Sequence, residues 1–287
     1  MGTVRDKITL GSIELNGSDW RWVCDEMSGW EGSAALDVVI VPRGAGHGAF
    51  AGADWLSRER YITIGGAVVT ESRAAAQLAQ DQLLGVLSGT ITLTRNGRRV
   101  WVQLYDQAEL DLITARGFRF VIPLVALDPF KYEPSAQVAQ AGAWAGSVYY
   151  YVYASNARTY TTNARTYLTS QLSESGYPEA AVIVNAGNVD SQRMTITVNG
   201  PLIAGDWHVE NATTGEELWA DVTLAAGQSL TLDCRELTAE LDGQHVESAV
   251  YGDWLKLVPG DNVLRLSTGT ASLETAYMTV RAHSAWR

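Results

Sequence analysis

The side chains best suited to acid–base or metal chemistry in this chain are its histidines. The sequence of 287 residues contains four of them, His47, His208, His245 and His283. No two of these histidines stand at the spacing of an HExxH or HxH metal-binding motif, and no GxSxG motif supplies a nucleophilic serine. The sequence therefore predicts no catalytic residue, no metal site and no cofactor.

A small acidic cluster offers the other route to catalysis. Asp106, Glu109 and Asp111 lie in the segment QLYDQAELDL. A glycoside hydrolase needs two carboxylates placed across a cleft, and proximity along the chain does not establish that placement. We favour the simpler interpretation that this segment is a solvated turn at the start of a helix.

Aromatic side chains on the polar side of predicted strands are more informative. Alternation along a strand places Trp219, Trp254, Trp101 and Tyr105 opposite the aliphatic residues beside them. Exposed aromatic surface generally marks an interaction site. Three alternatives remain open: cover by another part of the protein, a subunit interface, or stacking on a sugar ring. For Trp219 and Trp254 we favour cover by protein.

The composition excludes some classes of partner. The net charge is −11, and no part of the chain is basic enough for general affinity to phosphate, so we expect neither nucleic-acid binding nor attraction to an anionic membrane. No segment approaches the roughly 20 consecutive apolar residues of a membrane span. The first residues, MGTVRDKITLG, lack the apolar core of a signal peptide. We expect synthesis in a cytoplasm without export by a signal peptide.

One helix and one hairpin stand out in the first half of the chain. From Ser72 to Leu87, the apolar residues recur at helical spacing, and Ala76, Ala79 and Leu83 share one face. This alanine-rich face predicts close packing on a sheet or on a neighbouring subunit. Residues 90–105 predict a hairpin, because Asn96-Gly97 is typical of a two-residue turn between strands.

The remaining pattern predicts a mainly β protein in two domains. The apolar stretch at 121–127 ends at Asp128-Pro129 and closes a first domain at residues 1–133, which has one α-helix. Residues 134–180 are poor in charge, contain the echo NARTYTT and NARTYLT, and are predicted to be a connector or an irregular β insertion. Short strands at regular spacing over 181–287 predict an antiparallel β-sandwich. Among them are strands at 208–211, 217–222 and 254–258, with a turn at Thr214-Gly215 between the first two.

A set of short motifs carries a resemblance to a known family. They are ALDPFKYE at the end of the first domain, followed by WHVENATTGEEL, LAAGQSLTLD, LDG and LVPGDNVLRL. Together with the order of the elements, they resemble the distal tail protein family of long-tailed, non-contractile bacteriophages. The resemblance covers nearly the whole chain.

The resemblance implies a structural virion protein rather than an enzyme. Its first domain would form a barrel-like, homo-hexameric ring that joins the tail tube to the tail tip or baseplate. Its second domain would be galectin-like or like a carbohydrate-binding module. The implied partners are the tail tube protein, the tape measure protein and the tail-tip hub or receptor-binding proteins, with a cell-wall saccharide as a further ligand in host adsorption. The implied location is the virion tail tip.

Two other classes of function remain as alternatives. A carbohydrate-binding protein acting through the sandwich need not form a ring, so its mass in solution distinguishes it. A glycan-degrading enzyme needs a carboxylate pair in a cleft and a measurable turnover.

Overall fold

The computed structural model describes residues 6–18, 21–37, 40–42, 47, 49–51, 56–144, 177–269 and 275–287. The chain forms two compact units: unit 1 comprises Met1–Pro134 with Trp286–Arg287, and unit 2 comprises Ser135–Ala285. The protein is mainly β, as predicted. Within the described ranges, no helix is long and apolar enough to cross a membrane.

Unit 1 is built around a strongly curved sheet with one helix. Its elements are β1 (Ile8–Leu10), β2 (Ile13–Leu15), β3 (Trp22–Ser28), β4 (Leu36–Asp37), β5 (Ile40–Pro42), β6 (Ala49–Ala51), β7 (Leu56–Ser57), β8 (Arg60–Val69), α1 (Arg73–Val86), β9 (Ile91–Arg95), β10 (Arg98–Leu104), β11 (Glu109–Thr114), β12 (Gly117–Ala126) and β13 (Lys131–Tyr132). The main sheet runs in the order β2-β1-β9-β10-β12-β8-β3, and β11 pairs with β12 at one side. Alternate residues of these strands bury the aliphatic and aromatic core.

The predicted hairpin is confirmed. β9 and β10 pair antiparallel on either side of Asn96-Gly97. Both turn residues have positive φ, 52° at Asn96 and 68° at Gly97, as a two-residue hairpin turn requires.

The predicted helix is also found, and of the two alternatives for its alanine face, a sheet or a neighbouring subunit, the structure has the sheet of the same chain. The Ser72 hydroxyl accepts a hydrogen bond from Ala75 N at 3.2 Å and caps the helix. Ala76, Ala79 and Leu83 are fully buried in unit 1. Small side chains let the helix approach its own sheet closely, so these three residues face the core of the same chain rather than a neighbour.

The end of β12 is fixed by the LDPFKYE segment. One carboxylate oxygen of Asp128 accepts from Phe130 N at 3.2 Å, and the other accepts from the Tyr132 hydroxyl at 2.9 Å. The Pro129 carbonyl accepts from Arg60 Nε at 2.8 Å. Asp128 therefore forms a side-chain turn that stops the strand and starts β13.

Two buried cations are associated with this segment: Lys131 belongs to it, and Arg60 donates to it. Lys131 and Arg60 are only 3% and 2% exposed. Neither forms an ion pair with a carboxylate of the described residues; Arg60 donates to backbone carbonyls, and the Lys131 ammonium lies 5.9 Å from the centre of the Trp30 ring. Burial, followed by repulsion from Arg60 and Arg98, lowers the pKa of Lys131 to about 8.

Replacing Lys131 with methionine is expected to stabilise unit 1 at neutral pH. The folded state holds the lysine proton less tightly than the unfolded state, whose pKa is 10.5. The free energy of unfolding of the wild type therefore rises between about pH 8 and pH 10.5. At lower pH the charged lysine destabilises unit 1. We expect Lys131→Met to gain about 2 kcal/mol at pH 7 and to lose most of that gain by pH 10.

Guanidinium unfolding at pH 7 and pH 10, followed by tryptophan fluorescence, measures this difference. Lys7→Met is the control, because Lys7 is a well-exposed lysine paired with Glu14 and should change stability little at either pH. A Lys131→Met protein that is less stable than wild type at pH 7 would contradict this prediction. It would mean that favourable interactions of the charged ammonium offset the free-energy cost of burying it.

Unit 2 consists of two curved sheets around one core. Its elements are β14 (Gln137–Trp144), β15 (Ala181–Asn185), β16 (Met194–Asn199), β17 (Trp207–Asn211), β18 (Glu216–Ala220), β19 (Ser229–Asp233), β20 (Thr238–Leu241), β21 (Gln244–His245), a 3-10 helix (Glu247–Ala249), β22 (Val250–Gly252), β23 (Gly260–Thr268) and β24 (Tyr277–Ala282), and β25 (Ala285–Trp286) follows. The strand order is β21-β20-β19-β16-β24-β14-β23-β17-β18-β22, with β15 also on β23. Inward residues of both sheets form a single hydrophobic core.

β14 joins the two sheets of unit 2. Its residues 137–142 pair antiparallel with β24, and Ala143 and Trp144 then pair parallel with β23. Unit 2 thus begins at Ser135, inside the segment expected to be a connector. The repeat NARTYTT and NARTYLT lies outside the described residues.

Three buried asparagines tie the loops of unit 2 together. The side chains of Asn185, Asn211 and Asn262 are at most 1% exposed. Asn211 Nδ2 donates to the Lys256 carbonyl at 2.7 Å and to Asn262 Oδ1 at 3.2 Å. Asn185 Nδ2 donates to the Leu257 carbonyl at 3.0 Å. The Lys256 and Leu257 carbonyls lie in residues 254–258, which we predicted as a strand but which form an irregular segment with an isolated bridge at Leu257.

Candidate functional site

A partly exposed apolar sheet face is a candidate interaction surface of unit 1. This face, called the apolar face below, consists of the outward residues of β8 and β12 other than the charged Arg119: Tyr61, Thr63, Gly65, Ala67, Val69, Val121, Pro123 and Val125. Tyr61 is 53% exposed and Val121 39% exposed. Apolar exposure of this kind on a sheet is typical of a protein contact.

Two of the aromatic residues singled out in the sequence lie beside this face. Tyr105 is half exposed and packs edge to face on Tyr61, with ring centres 5.1 Å apart. Trp101 is half-buried and packs against the ring of Tyr132 at 5.8 Å. Tyr105 therefore extends the apolar face, whereas Trp101 is partly covered by its own chain.

The acidic cluster lies on an edge strand rather than on a helix. Asp106 precedes β11 and accepts from Gln107 N at 2.7 Å, and Glu109 and Asp111 lie on β11 itself. All three side chains are exposed. The expected helix does not form, because residues 109–114 complete the sheet by pairing with β12. Its neighbours Leu112 and Ile113 are also exposed, so β11 presents an apolar edge.

A cleft of about 430 Å³ lies on the outer face of unit 2. It is lined by Trp144, Gly205, Asp206, His208, Glu210, Trp219, Ser267, Thr268 and Gly269. The strand register explains this grouping: His208 lies opposite Trp219 on one side and opposite Ser267 on the other, and Trp144 lies opposite Ser267. One cross-strand row therefore carries four of the nine lining residues.

The ring of Trp219 is stacked rather than open. The His208 imidazole lies 4.1 Å from it at an angle of 26°, and the Tyr251 ring lies 6.5 Å away on the neighbouring strand at 11°. The indole Nε1 donates to Glu217 Oε2 at 3.1 Å. The His208 ring therefore covers one face of Trp219 and disfavours the stacking of a sugar on that face.

Trp254 is half-buried and packs against the core of unit 2. Its neighbours Leu255 and Leu257 point inward and are fully buried, in agreement with the predicted alternation. On the outer side, Lys256 Nζ lies 3.2 Å from Asp190 Oδ2, and this bond raises the pKa of Lys256.

The histidines are placed differently from one another. His208 lies in the cleft, beside Glu210 and Glu217. His245 lies 2.8 Å from Glu247 Oε1 on the surface, His283 is half-buried, and His47 is exposed. Sequence reasoning missed the grouping around His208, although the strand alternation in WHVEN and the turn at Thr214-Gly215 were both visible.

The comparisons with known proteins find a matching family model for part of the chain and a similar fold for nearly all of it. Residues 186–280 match the family model of the siphovirus-type tail component, C-terminal domain. The crystal structure of the Dit protein of phage SPP1, described as a paradigm of the hub adsorption apparatus in phages that infect Gram-positive bacteria, has a TM-score of 0.63 and 12% identity, and the match covers 98% of this chain and 99% of that one.

Two further solved structures show the same fold. Chains of the phage P2 baseplate in its activated conformation, with Ca and with Sr, match with TM-scores of 0.50 and identities of 11% and 12%, over 96% of this chain and 97% of each of those. No curated protein sequence matches the chain. The resemblance to the distal tail protein family is thus confirmed over residues 186–280 by the family model, and over 98% of the chain the similarity is one of fold.

Proposed function

We propose that this protein is a structural distal tail component of a phage virion, in which unit 1 forms a homo-hexameric ring between the tail tube and the tail tip. The observation that carries the proposal is the match of residues 186–280 to a siphovirus-type tail component. The fold shared with the Dit protein of phage SPP1 supports extending it to the whole chain. The protein then acts by assembly and not by turnover.

The surface of unit 1 fits self-association. The apolar face leaves Tyr61 and Val121 open to solvent. β11, which pairs only with β12 in the part of the chain that the structure describes, leaves Leu112 and Ile113 exposed at the edge of the sheet. Both features are liabilities for an isolated monomer. A ring built from heterologous contacts would cover one surface of each copy with a different surface of the next, and closure would leave none unpaired.

The remaining partners in the proposal are other tail proteins. The tail tube protein, the tape measure protein and the tail-tip hub or receptor-binding proteins would contact the two sides of the ring. Unit 2 would serve the adsorption apparatus, either by packing on these proteins or by weak contact with a cell-wall saccharide. The stacked ring of Trp219 and the packed ring of Trp254 favour the first role.

Light scattering after size-exclusion chromatography tests the ring. We expect a mass near six times the 31.1 kDa chain, at high concentration or with a tail partner present. Val121→Glu, which places a charge on the apolar face, should shift the protein towards monomer. Val182→Glu is the matched control, since Val182 is an exposed strand valine in unit 2.

Two results would contradict the proposal. One is a monomer under every condition, including with the tail tube protein present. The other is equal loss of assembly in Val121→Glu and Val182→Glu, which would move the self-contact away from the apolar face.

A further inference from the structure

Three metal-ligating side chains meet at the cleft of unit 2. His208 and Glu210 are alternate residues of β17, and Glu217 lies on β18 directly opposite Glu210. All three side chains therefore project from the same face of the sheet. One ligand atom of each lies within 4.8 Å of the corresponding atoms of the other two.

Each of the three side chains keeps a free ligand atom. Within the described ranges, no hydrogen bond engages either ring nitrogen of His208; its contact is the stacking on Trp219. Glu210 Oε1 lies 3.5 Å from Arg265 Nη1, which leaves Oε2 open. Glu217 Oε2 accepts from Trp219 Nε1, which leaves Oε1 open.

Neighbouring side chains hold these ligands in position. Trp219 fixes the plane of the imidazole by stacking and the carboxylate of Glu217 by its indole N–H. Arg265 orients Glu210 and itself lies over the Trp144 ring at 5.4 Å. Hydrogen-bonded neighbours of this kind orient the first-shell ligands of protein metal sites.

The chemistry of the cluster selects the ligand. Two carboxylates, with Asp206 in the same cleft, outweigh the single charge of Arg265 and favour a cation over an acidic or phosphorylated ligand. One imidazole nitrogen with two carboxylate oxygens suits Zn²⁺ and its neighbours, whereas Ca²⁺ and Mg²⁺ prefer oxygen alone. A tetrahedral Zn²⁺ needs ligand atoms about 3.3 Å apart, which a small rotation of the two glutamates can supply.

We propose that His208, Glu210 and Glu217 bind one divalent transition-metal ion of the Zn²⁺ class at the cleft of unit 2. Three protein ligands leave a fourth position that faces the cleft. The ion joins β17 and β18, so its binding stabilises unit 2. This inference concerns residues that the proposed ring does not use.

Calorimetric titration of the chelator-treated full-length protein with ZnCl2 tests the site. We expect one ion per chain and at least tenfold weaker binding in His208→Phe and in Glu217→Gln. Phenylalanine retains a ring to stack on Trp219, and glutamine retains an acceptor for the indole N–H, so both variants should fold as the wild type does by circular dichroism. Binding of Co²⁺ should also give d–d absorption bands in the wild type that are absent from His208→Phe.

His245→Phe is the matched control. His245 is exposed and lies between Glu240 and Glu247, at 3.9 Å and 2.8 Å, but this trio does not gather three ligand atoms at one point. Zinc affinity should therefore be unchanged in His245→Phe. The proposal is overturned by no zinc binding in the wild type, by equal affinity in wild type and His208→Phe, or by loss of binding in His245→Phe instead, which would indicate adventitious surface binding.

Discussion

Alanine in place of Gly66 is expected to abolish the stable fold of unit 1. A Cβ at this position would lie 2.1 Å from the Val23 carbonyl oxygen and 2.6 Å from Cζ of the Phe120 ring. Val23 belongs to β3, which pairs with β8 at this point, so its carbonyl cannot retreat without breaking the pairing. We expect a loss of more than about 3 kcal/mol in the free energy of unfolding.

The adjacent glycine is the control. A Cβ at Gly65 would meet its nearest atom, Glu26 Cβ, at 3.6 Å, which is an ordinary contact. Gly65→Ala should therefore stay within about 1 kcal/mol of wild type. Chemical unfolding followed by tryptophan fluorescence compares the two variants, and similar stabilities would show that β3 can move away from Gly66.

Asn262→Ala is expected to be the most damaging substitution among the buried polar residues of unit 2. The Asn262 amide donates to the Val258 and Gly260 carbonyls at 2.8 and 3.0 Å, and its oxygen accepts from Val258 N at 3.0 Å and from the Asn211 amide. Alanine leaves several buried backbone groups without partners, and each such group costs about 1–3 kcal/mol. We expect a loss of about 4 kcal/mol in total.

Two variants make this test specific. Gln140→Ala removes an exposed amide that donates to Thr279 at 3.1 Å and should cost less than about 1 kcal/mol. The double variant Asn211→Ala with Asn262→Ala should lose less than the sum of the two single losses, since the two amides are bonded at 3.2 Å. Strict additivity, or a small effect of Asn262→Ala, would mean that water replaces the amide.

Local pattern predicted the elements whose stabilising contacts are also local. The hairpin around Asn96-Gly97 depends on two turn residues, and α1 depends on a capping serine and a periodic face. The strand predicted at residues 254–258 does not form, because the contacts that fix this segment are not local. Its alternation is real, but its backbone bonds go to Asn211 and Glu216, which are distant in sequence.

The grouping of His208, Glu210 and Glu217 in the cleft depends on the register of β17 against β18. The sequence alone did not provide that register. Strands near His208 and Glu217 were predicted with a turn between them, but a shift of one residue would have placed Glu217 on the opposite face. The observed pairing of Glu210 with Glu217 brings two like charges together, and pairing preferences would have argued against it. Arg265 on the next strand partly neutralises them.

The position of β14 has a consequence for synthesis of the chain. This strand leaves the ribosome early, whereas its partners, residues 277–282 and Leu266, emerge much later. Such non-local pairing slows folding and leaves a strand with two unpaired edges in the nascent chain, where it is open to aggregation. The sequence of β14, QVAQAGAW, is poor in large aliphatic residues. This composition lowers the tendency of the strand to aggregate before its partner strands have been synthesised.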